Sequence, residues 1–304
     1  MSVISIVIPT HNNAEVLEEC LSGWRRRSGG MDFEVIVVED GCTDRTPDLL
    51  RQIAATTWGR AHLRWVHEPD VHELHSTNRG LAEARGELLL VWQDDMFVET
   101  TWFLPELART FRALPAIGLL SLSRGLVCNP LDEPIDRPED LLDWRRLEST
   151  IGAWPLNWAL VQEVDAVIRP WMVRRAAIER VGPLDPAFRL SEWDEADLAF
   201  RIREAGWAVA THGFERLGAY RHLGSTTIQT PSEAYRRQIL ANGRLFHERW
   251  DVMIRAGRGR ARRRWRRRAS AAGWLRTVVQ CGRYALGRAG MVRLPHVAGE
   301  RHAG

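Results

Sequence analysis

A chain of 304 residues with 45% hydrophobic content can bury a sizeable core, either as one large domain or as a domain with an appendage. It has no run of about eighteen apolar residues, so nothing in it spans a bilayer as a helix. All 42 basic residues are Arg, which excludes a Walker A phosphate loop and any Schiff-base chemistry. Residues 252–304 hold 14 Arg and one Glu, a net of +13, and leave residues 1–251 at −10: an acidic body carries a basic tail. Cys20, Cys42, Cys128 and Cys281 are scattered, without a C-x-x-C pair or zinc spacing, and read as reduced thiols of a cytoplasmic protein.

In chain order, residues 2–9 (SVISIVIP) are a β-branched run ending at Pro9. The run is short and no basic segment precedes it, so it reads as a first strand and not a signal peptide. A helical pattern follows over 14–26. Residues 33–38 (FEVIVV) predict a second strand, closed by the polar turn EDGCTD, where Asp44 can cap a helix running to about residue 55. A third strand falls at 63–67, a helix at 77–85, and a fourth strand at 87–92, after the break at Gly86. Apolar strands alternating with helices predict an α/β fold, a mostly parallel sheet with helices on both faces. In such sheets the ligand crevice lies beyond the carboxyl ends of the strands. The polar clusters 10–13, 39–44 and 93–95 all follow strand ends and should meet at one edge.

Those clusters carry chemistry. LLLVWQDDMF (88–97) ends a buried run on two adjacent carboxylates, which repel each other and are costly to bury unpaired. Asp95 offers oxygen ligands to a hard divalent cation, Mn²⁺ or Mg²⁺, with a diphosphate and water completing its shell. Gly41 permits a tight turn between Asp40 and Asp44, and a carboxylate at Asp40 suits an imino N–H such as that of uracil, thymine or guanine. Each has a structural alternative: Asp40 shaping the turn, Asp44 capping the helix, Asp94 and Asp95 standing in an exposed turn. The cap is the better reading of Asp44, and a functional role the better reading of Asp94 and Asp95.

IVIPTHNNAEVLEECL, VIVVEDGCTD and NRGLAEARGELLLVWQDD, in that order, resemble the nucleotide-binding half of the family 2 glycosyltransferases, inverting GT-A-fold enzymes that use nucleotide-diphosphate sugars. VDAVIRPWMVRRAAIERVGPLDPAFRLSEWDEADLAFRIREAGWAVAT looks like their acceptor side, and the likeness runs from residue 3 to residue 225. The resemblance implies a Rossmann-like GT-A sheet with residues 1–122 as the nucleotide-sugar half. Residues 123–250 become the acceptor half of the same domain, with an irregular insertion at 123–162, and 251–304 a helical or disordered basic tail. It places Pro9 and Thr10 on the base and ribose, Asp40 on the base N–H, Asp94 near the ribose or sugar, and Asp95 on the metal. His222 (AYRHLGSTT) falls near the diphosphate or acts as a second metal ligand. Counting back from Arg201, Glu195 takes the position of the catalytic base, with Asp194 as its neighbour and competitor. Gln93 stands where the family has Asp or Asn, and the acidic pair at 194–195 reverses the family's Glu-then-Asp order.

Such a base is needed because an acceptor hydroxyl must lose its proton as it attacks the anomeric carbon, and a positioned carboxylate is worth about a hundred- to ten-thousand-fold in rate. A helix over 194–205, with Leu198, Ile202 and Ala205 on one face and Gly206 ending it, holds Glu195 in its first turn. Either acid can instead serve the helix dipole, and Arg201 an ion pair. In the irregular insertion, Trp144, Trp154 and Trp158 offer flat faces to a sugar or lipid-linked acceptor, or anchor the loop to the core.

The tail has nine Arg over 255–268, with Trp265, Trp274, Leu275, Val278 and Val279 interspersed or following. Basic and apolar residues together suit an anionic membrane surface at the cytoplasmic face, ahead of nucleic acid and of a merely solvated tail. The expectation is a transferase moving a sugar from a UDP, dTDP or GDP donor to a glycan, lipid-linked or other hydroxyl acceptor in cell-surface polysaccharide or glycoconjugate synthesis. The alternative is a catalytically inactive nucleotide-sugar-binding or scaffold protein of the same fold. A sugar nucleotidyltransferase is disfavoured: PTHNNAE after the first strand has neither the glycine-rich loop nor the basic residue that would hold a triphosphate.

Overall fold

Largely apolar runs form strands that are buried along their whole length, as β1 (Ile4–Thr10), β2 (Phe33–Asp40) and β4 (Leu88–Val91) are. With the more exposed β3 (Leu63–Glu68) they make a parallel set in the order β3-β2-β1-β4. The computed structural model describes residues 4–128, 130, 147–149, 160–190, 192–224, 232–257 and 263–266, with 275, 278, 279 and 282 beyond them. Trp144, Trp154, Trp158 and Trp274 lie outside the described residues.

Four helices connect the parallel strands: α1 (Ala14–Arg27), α2 (Thr46–Ala54), α3 (Thr57–His62) and α4 (His72–Glu83). The sequence did not announce α3, which is capped by the Thr56 hydroxyl accepting from the Gly59 N–H. Helix α4 starts a turn earlier than its pattern predicts, because Leu74 joins Thr77 and Leu81 on the buried stripe. Its Gly80 packs directly on β1, where a Cβ would lie 2.3 Å from Val7 Cγ1.

Past β4 the chain continues through β5 (Met96–Val98), α5 (Phe103–Ala113), β6 (Ile117–Ser121), β7 (Gly125–Cys128), β8 (Leu147–Ser149), β9 (Leu160–Glu163), β10 (Ala166–Val167) and β11 (Trp171–Arg174). Then come α6 (Arg175–Val181), α7 (Asp194–Glu204), β12 (Ala208–Thr211), β13 (Tyr220–His222), α8 (Glu233–Gly257) and β14 (Arg264–Arg266). The central sheet has the order β14-β9-β12-β6-β11-β4-β1-β2-β3. Strand β11 is antiparallel to both β4 and β6, so the sheet is parallel in its first half and mixed beyond it. The main clusters of buried side chains are one around Trp24, Trp92 and Phe103 and another around Trp171, Phe188, Phe200 and Phe246.

The beginning of the basic tail is tied into the fold. Helix α8 runs to Gly257, past the start of the tail at 251. Strand β14 then adds an edge to the sheet beside β9, and Arg263 places both its backbone N–H and its Nε on Glu163 Oε2, at 3.0 and 3.1 Å. Trp265, expected from its sequence context at a membrane surface, packs against the core instead. The buried carboxylate of Glu163 at an otherwise open sheet edge gives an Arg-rich strand a reason to dock there. Among the described residues no helix is long and apolar enough to cross a membrane.

Candidate active site

Because β1, β2 and β4 run parallel, their carboxyl ends share one edge, and side chains stitch the three turns together there. Thr10 Oγ1 donates to Asp94 Oδ2 at 2.7 Å, joining the ends of β1 and β4. His11 Nδ1 lies 2.6 Å from the Asp40 carbonyl oxygen, and Asn12 Oδ1 accepts from the N–H groups of Thr43 and Asp44, joining β1 to the turn after β2. Asp44 is structural: its two oxygens accept from Thr46 N–H at 2.9 Å and Ala14 N–H at 3.1 Å, at the first turns of α2 and α1. Burial alone would raise its pKa, but those bonds outweigh it and hold the carboxyl below the usual range.

Asp40 is buried at the end of β2, and Oδ1 accepts from Val71 N–H at 2.7 Å, while Oδ2 takes no partner among the described residues. Gly41 follows with φ +60°, and a Cβ there would meet Asp70 at 2.7 Å, so this turn requires glycine. Pro9 is a buried residue of β1, opposite Val38.

The antiparallel pairing of β13 with β5 sets His222 across from Met96 and so beside Asp95. Asp95 Oδ1 and His222 Nε2 stand 3.2 Å apart. Both atoms are buried, and neither has a hydrogen-bond partner among the described residues. A hard carboxylate oxygen and an imidazole nitrogen facing each other suit a divalent cation. No cluster of three such ligands occurs among the described residues, so a cation here would draw further ligands from a bound diphosphate and water. Burial pushes the neighbouring Asp94 up to about 6, against the hydrogen bonds of Thr10 and Asn13 and with help from the charge of Asp95.

Glu195 reaches the same edge from the other half of the sheet. Its Oε1 accepts from Trp171 Nε1 at 3.1 Å, and Trp171 pairs in register with Val91, the last residue of β4. The segment leading to α7 is strained: Leu190, Glu192 and Trp193 have φ of +68°, +69° and +68°. Asn242 of α8 holds it by donating to the carbonyls of Arg189 and Glu192 at 3.0 and 3.3 Å, while Trp193 packs on Phe246. The side chain of Glu195 is 16% exposed and that of Asp194 is 2% exposed, which makes Glu195 the accessible member of the pair. Burial pushes Glu195 up to about 7, Arg169 opposes this, and Asp194 adds to it. Burial also raises Asp194, again against Arg169. Arg201 is structural, ion-paired with Asp197 at 2.7 Å and donating to the carbonyls of Val181, Gly182 and Pro183.

Arg169, Trp171 and Glu73 were not singled out from sequence. Arg169 Nε lies 2.5 Å from Glu195 Oε1, Nη2 lies 3.7 Å from Asp194 Oδ2, and Nη1 contacts Glu73 in the first turn of α4. The signal available was an arginine alone inside the apolar run AVIRPWMV, which periodicity treats as a strand residue.

The family model described as Glycosyl transferase family 2 matches residues 5–137, the stretch that supplies Thr10, Asp40, Asp94 and Asp95. Residues 5–137 carry a family 2 glycosyltransferase domain. The chain is 33% identical over 94 residues to validoxylamine A glucosyltransferase of Streptomyces hygroscopicus subsp. jinggangensis, covering 30% of this chain and 21% of that protein. It is 36% identical over 98 residues to a PGL/p-HBAD biosynthesis glycosyltransferase of Mycobacterium bovis, covering 32% of this chain and 37% of that one. The match thus spans well under half the length of either relative. The fold resembles GalNAc-T7 with UDP, GalNAc and Mn²⁺, at a TM-score of 0.54 and 13% identity over 70% of this chain and 43% of that one. It also resembles S. aureus TarS 1-349 in complex with UDP-GlcNAc, at a TM-score of 0.50 and 14% identity over 94% of this chain and 81% of that one. The sheet and its helices have the GT-A fold.

Proposed function

We propose that the protein is a metal-dependent, inverting glycosyltransferase that moves a sugar from a UDP, dTDP or GDP donor to an acceptor hydroxyl. The observation that carries this reading is the meeting, at one sheet edge, of the Asp95–His222 pair with the accessible carboxylate of Glu195. A carboxyl pushed up to about 7 is matched to taking a proton from a hydroxyl near neutral pH. A bound Mn²⁺ or Mg²⁺ would supply Lewis-acid stabilisation of charge on the diphosphate, and Asp95 and His222 would hold it. The Mn²⁺ of the GalNAc-T7 structure and the nucleotides of both structural relatives support a cation and a nucleotide-sugar donor.

In this reading Oδ2 of Asp40 accepts from the base N–H, Pro9 and Thr10 lie along the base and ribose, and Asp94 faces the ribose or sugar. Glu195 is the base, and Asp194, enclosed behind Arg169, tunes it. The acceptor is a glycan, a lipid-linked or another hydroxyl compound, in cell-surface polysaccharide or glycoconjugate synthesis. The tail beyond β14 docks on an anionic membrane surface, a reading supported by the exposure of Leu275, Val278 and Val279. An inactive scaffold of the same fold is disfavoured by the retention of Asp40, Asp95 and an acid at position 195. Glu195→Gln is expected to lower transfer by about a hundred- to ten-thousand-fold while leaving nucleotide affinity unchanged. Full transfer by that variant would remove Glu195 from the role.

A further inference from the structure

Four carboxylates crowd the start of α7. Glu192, Asp194 and Glu195 come from the strained segment and the helix, and Glu73 comes from the first turn of α4. Arg169 pairs with three of them: its side chain is 9% exposed, and its fork reaches Glu195, Asp194 and Glu73 at once. A planar guanidinium can serve three carboxylates from one fixed position in a way that a lysine ammonium cannot. On the neighbouring α8 the facing cation, Arg249, is committed to Asp185 and Asp197.

We propose that Arg169 is a positioning residue, shared between Glu73 of the donor half and Glu195 of the acceptor half, that holds the Glu195 carboxylate in place and in its charged form. The proposal rests on the reading of Glu195 as the base. A base must be ionised before it can accept a proton, yet burial and the charges of Asp194 and Glu192 all favour the neutral acid. Arg169 and the Trp171 N–H are the groups that oppose them. Glu73 competes for the same guanidinium, so the charge on α4 sets how much of it Glu195 receives.

Arg169 and Glu73 therefore have effects of opposite sign on Glu195. Removing the cation in Arg169→Gln raises the pH at which Glu195 ionises by roughly one to three pH units, the size of shift an adjacent opposite charge produces. Removing the competing carboxylate in Glu73→Gln lowers it. Arg169→Lys restores the charge with poorer geometry and falls between wild type and Arg169→Gln. A purely structural role would not move the two ionisations in opposite directions.

The test is a difference-infrared titration of the full-length chain. The Glu195 carboxyl band is assigned by its loss in Glu195→Gln and followed in wild type, Arg169→Gln, Arg169→Lys and Glu73→Gln. An upward shift in Arg169→Gln with a downward shift in Glu73→Gln is the expected result. A Glu195 band that titrates as in wild type in both overturns the proposal. Should Arg169→Gln fail to fold, Glu73→Gln and Arg169→Lys carry the same opposed signs. The acidic limb of nucleoside diphosphate release, measured on UDP-glucose, dTDP-glucose and GDP-mannose with Mn²⁺, should move with the band. A limb that stays fixed while the band moves overturns the reading of Glu195 as base and leaves the hold of Arg169 on its charge intact.

Discussion

Asp94 holds a charge where water is scarce, and its environment fixes the sign of what that does to stability. Its folded pKa is pushed up to about 6 from an ordinary 3.8, chiefly by burial. A raised carboxyl favours folding most below the unfolded pKa, and that contribution is lost as pH rises through the folded value. The raised pKa therefore weakens the fold most above about pH 6, and the penalty vanishes only below about 3.8, where the unfolded chain keeps its proton too. Asp94→Asn keeps an acceptor for the Thr10 hydroxyl and removes the charge, so its melting temperature should exceed that of wild type at pH 8, with the gap narrowing as pH falls through 6 and closing only towards pH 4. A gap of the same size at both pH values would show that the carboxylate is not strained by burial. Such a gain at a site residue is the usual exchange between stability and function. At this scale the sequence was legible where a residue's chemistry was out of place: two acids closing an apolar strand, or a glycine between aspartates. Arg169 was not legible, because its partners come from α4 and α7, far apart in the chain, and nothing in VIRPW marks the meeting.

Elements built from a long run of one pattern came through from the sequence nearly to the residue. Strands β1 and β2 and helices α1 and α7 are where their β-branched runs, caps and spacing put them. Strand β5 did not, since it is three residues long and exists by pairing with β13 across the chain. That pairing is also what brings His222 to Asp95. Strand β14 was hidden for another reason: an Arg-rich stretch reads as solvated until the buried carboxylate of Glu163 is seen beside it. The membrane reading of the tail therefore rests on the residues beyond 266. A chain ending at Arg266 keeps the edge strand and loses Trp274, Leu275, Val278 and Val279. Co-sedimentation with anionic vesicles should fall several-fold relative to the full chain, and equal sedimentation of the two would dispose of the proposal.

Over the whole molecule, two differently built halves of one sheet present their ends to a shared edge. The parallel half contributes Thr10, Asp40, Asp94 and Asp95; the mixed half contributes Glu195 through Trp171, whose strand runs antiparallel beside β4. The buried apolar cluster of Val7, Leu74 and Leu81 with Trp171, Phe188 and Phe200 spans the junction, and polar pairs cross it as well. Asn78 of α4 both donates to and accepts from the backbone of Leu184, and Arg169 links α4 to α7. The convergence of strand ends was readable from alternation alone, because parallel strands must finish on the same side. The direction of β11 was not, since a four-residue apolar strand looks the same in either orientation.

The central claim is that this edge binds a nucleotide-diphosphate sugar through a divalent cation held by Asp95. The most direct measurement is nucleoside diphosphate release from UDP-glucose, dTDP-glucose and GDP-mannose, each with Mn²⁺, Mg²⁺ or EDTA, for wild type and Asp95→Asn, with direct binding of the same donors alongside. The account predicts that one donor is bound and slowly hydrolysed, that EDTA abolishes both, and that Asp95→Asn reproduces the EDTA result in the presence of metal. A donor bound and turned over equally well with EDTA and by Asp95→Asn, or no binding of any donor under any condition, would contradict it.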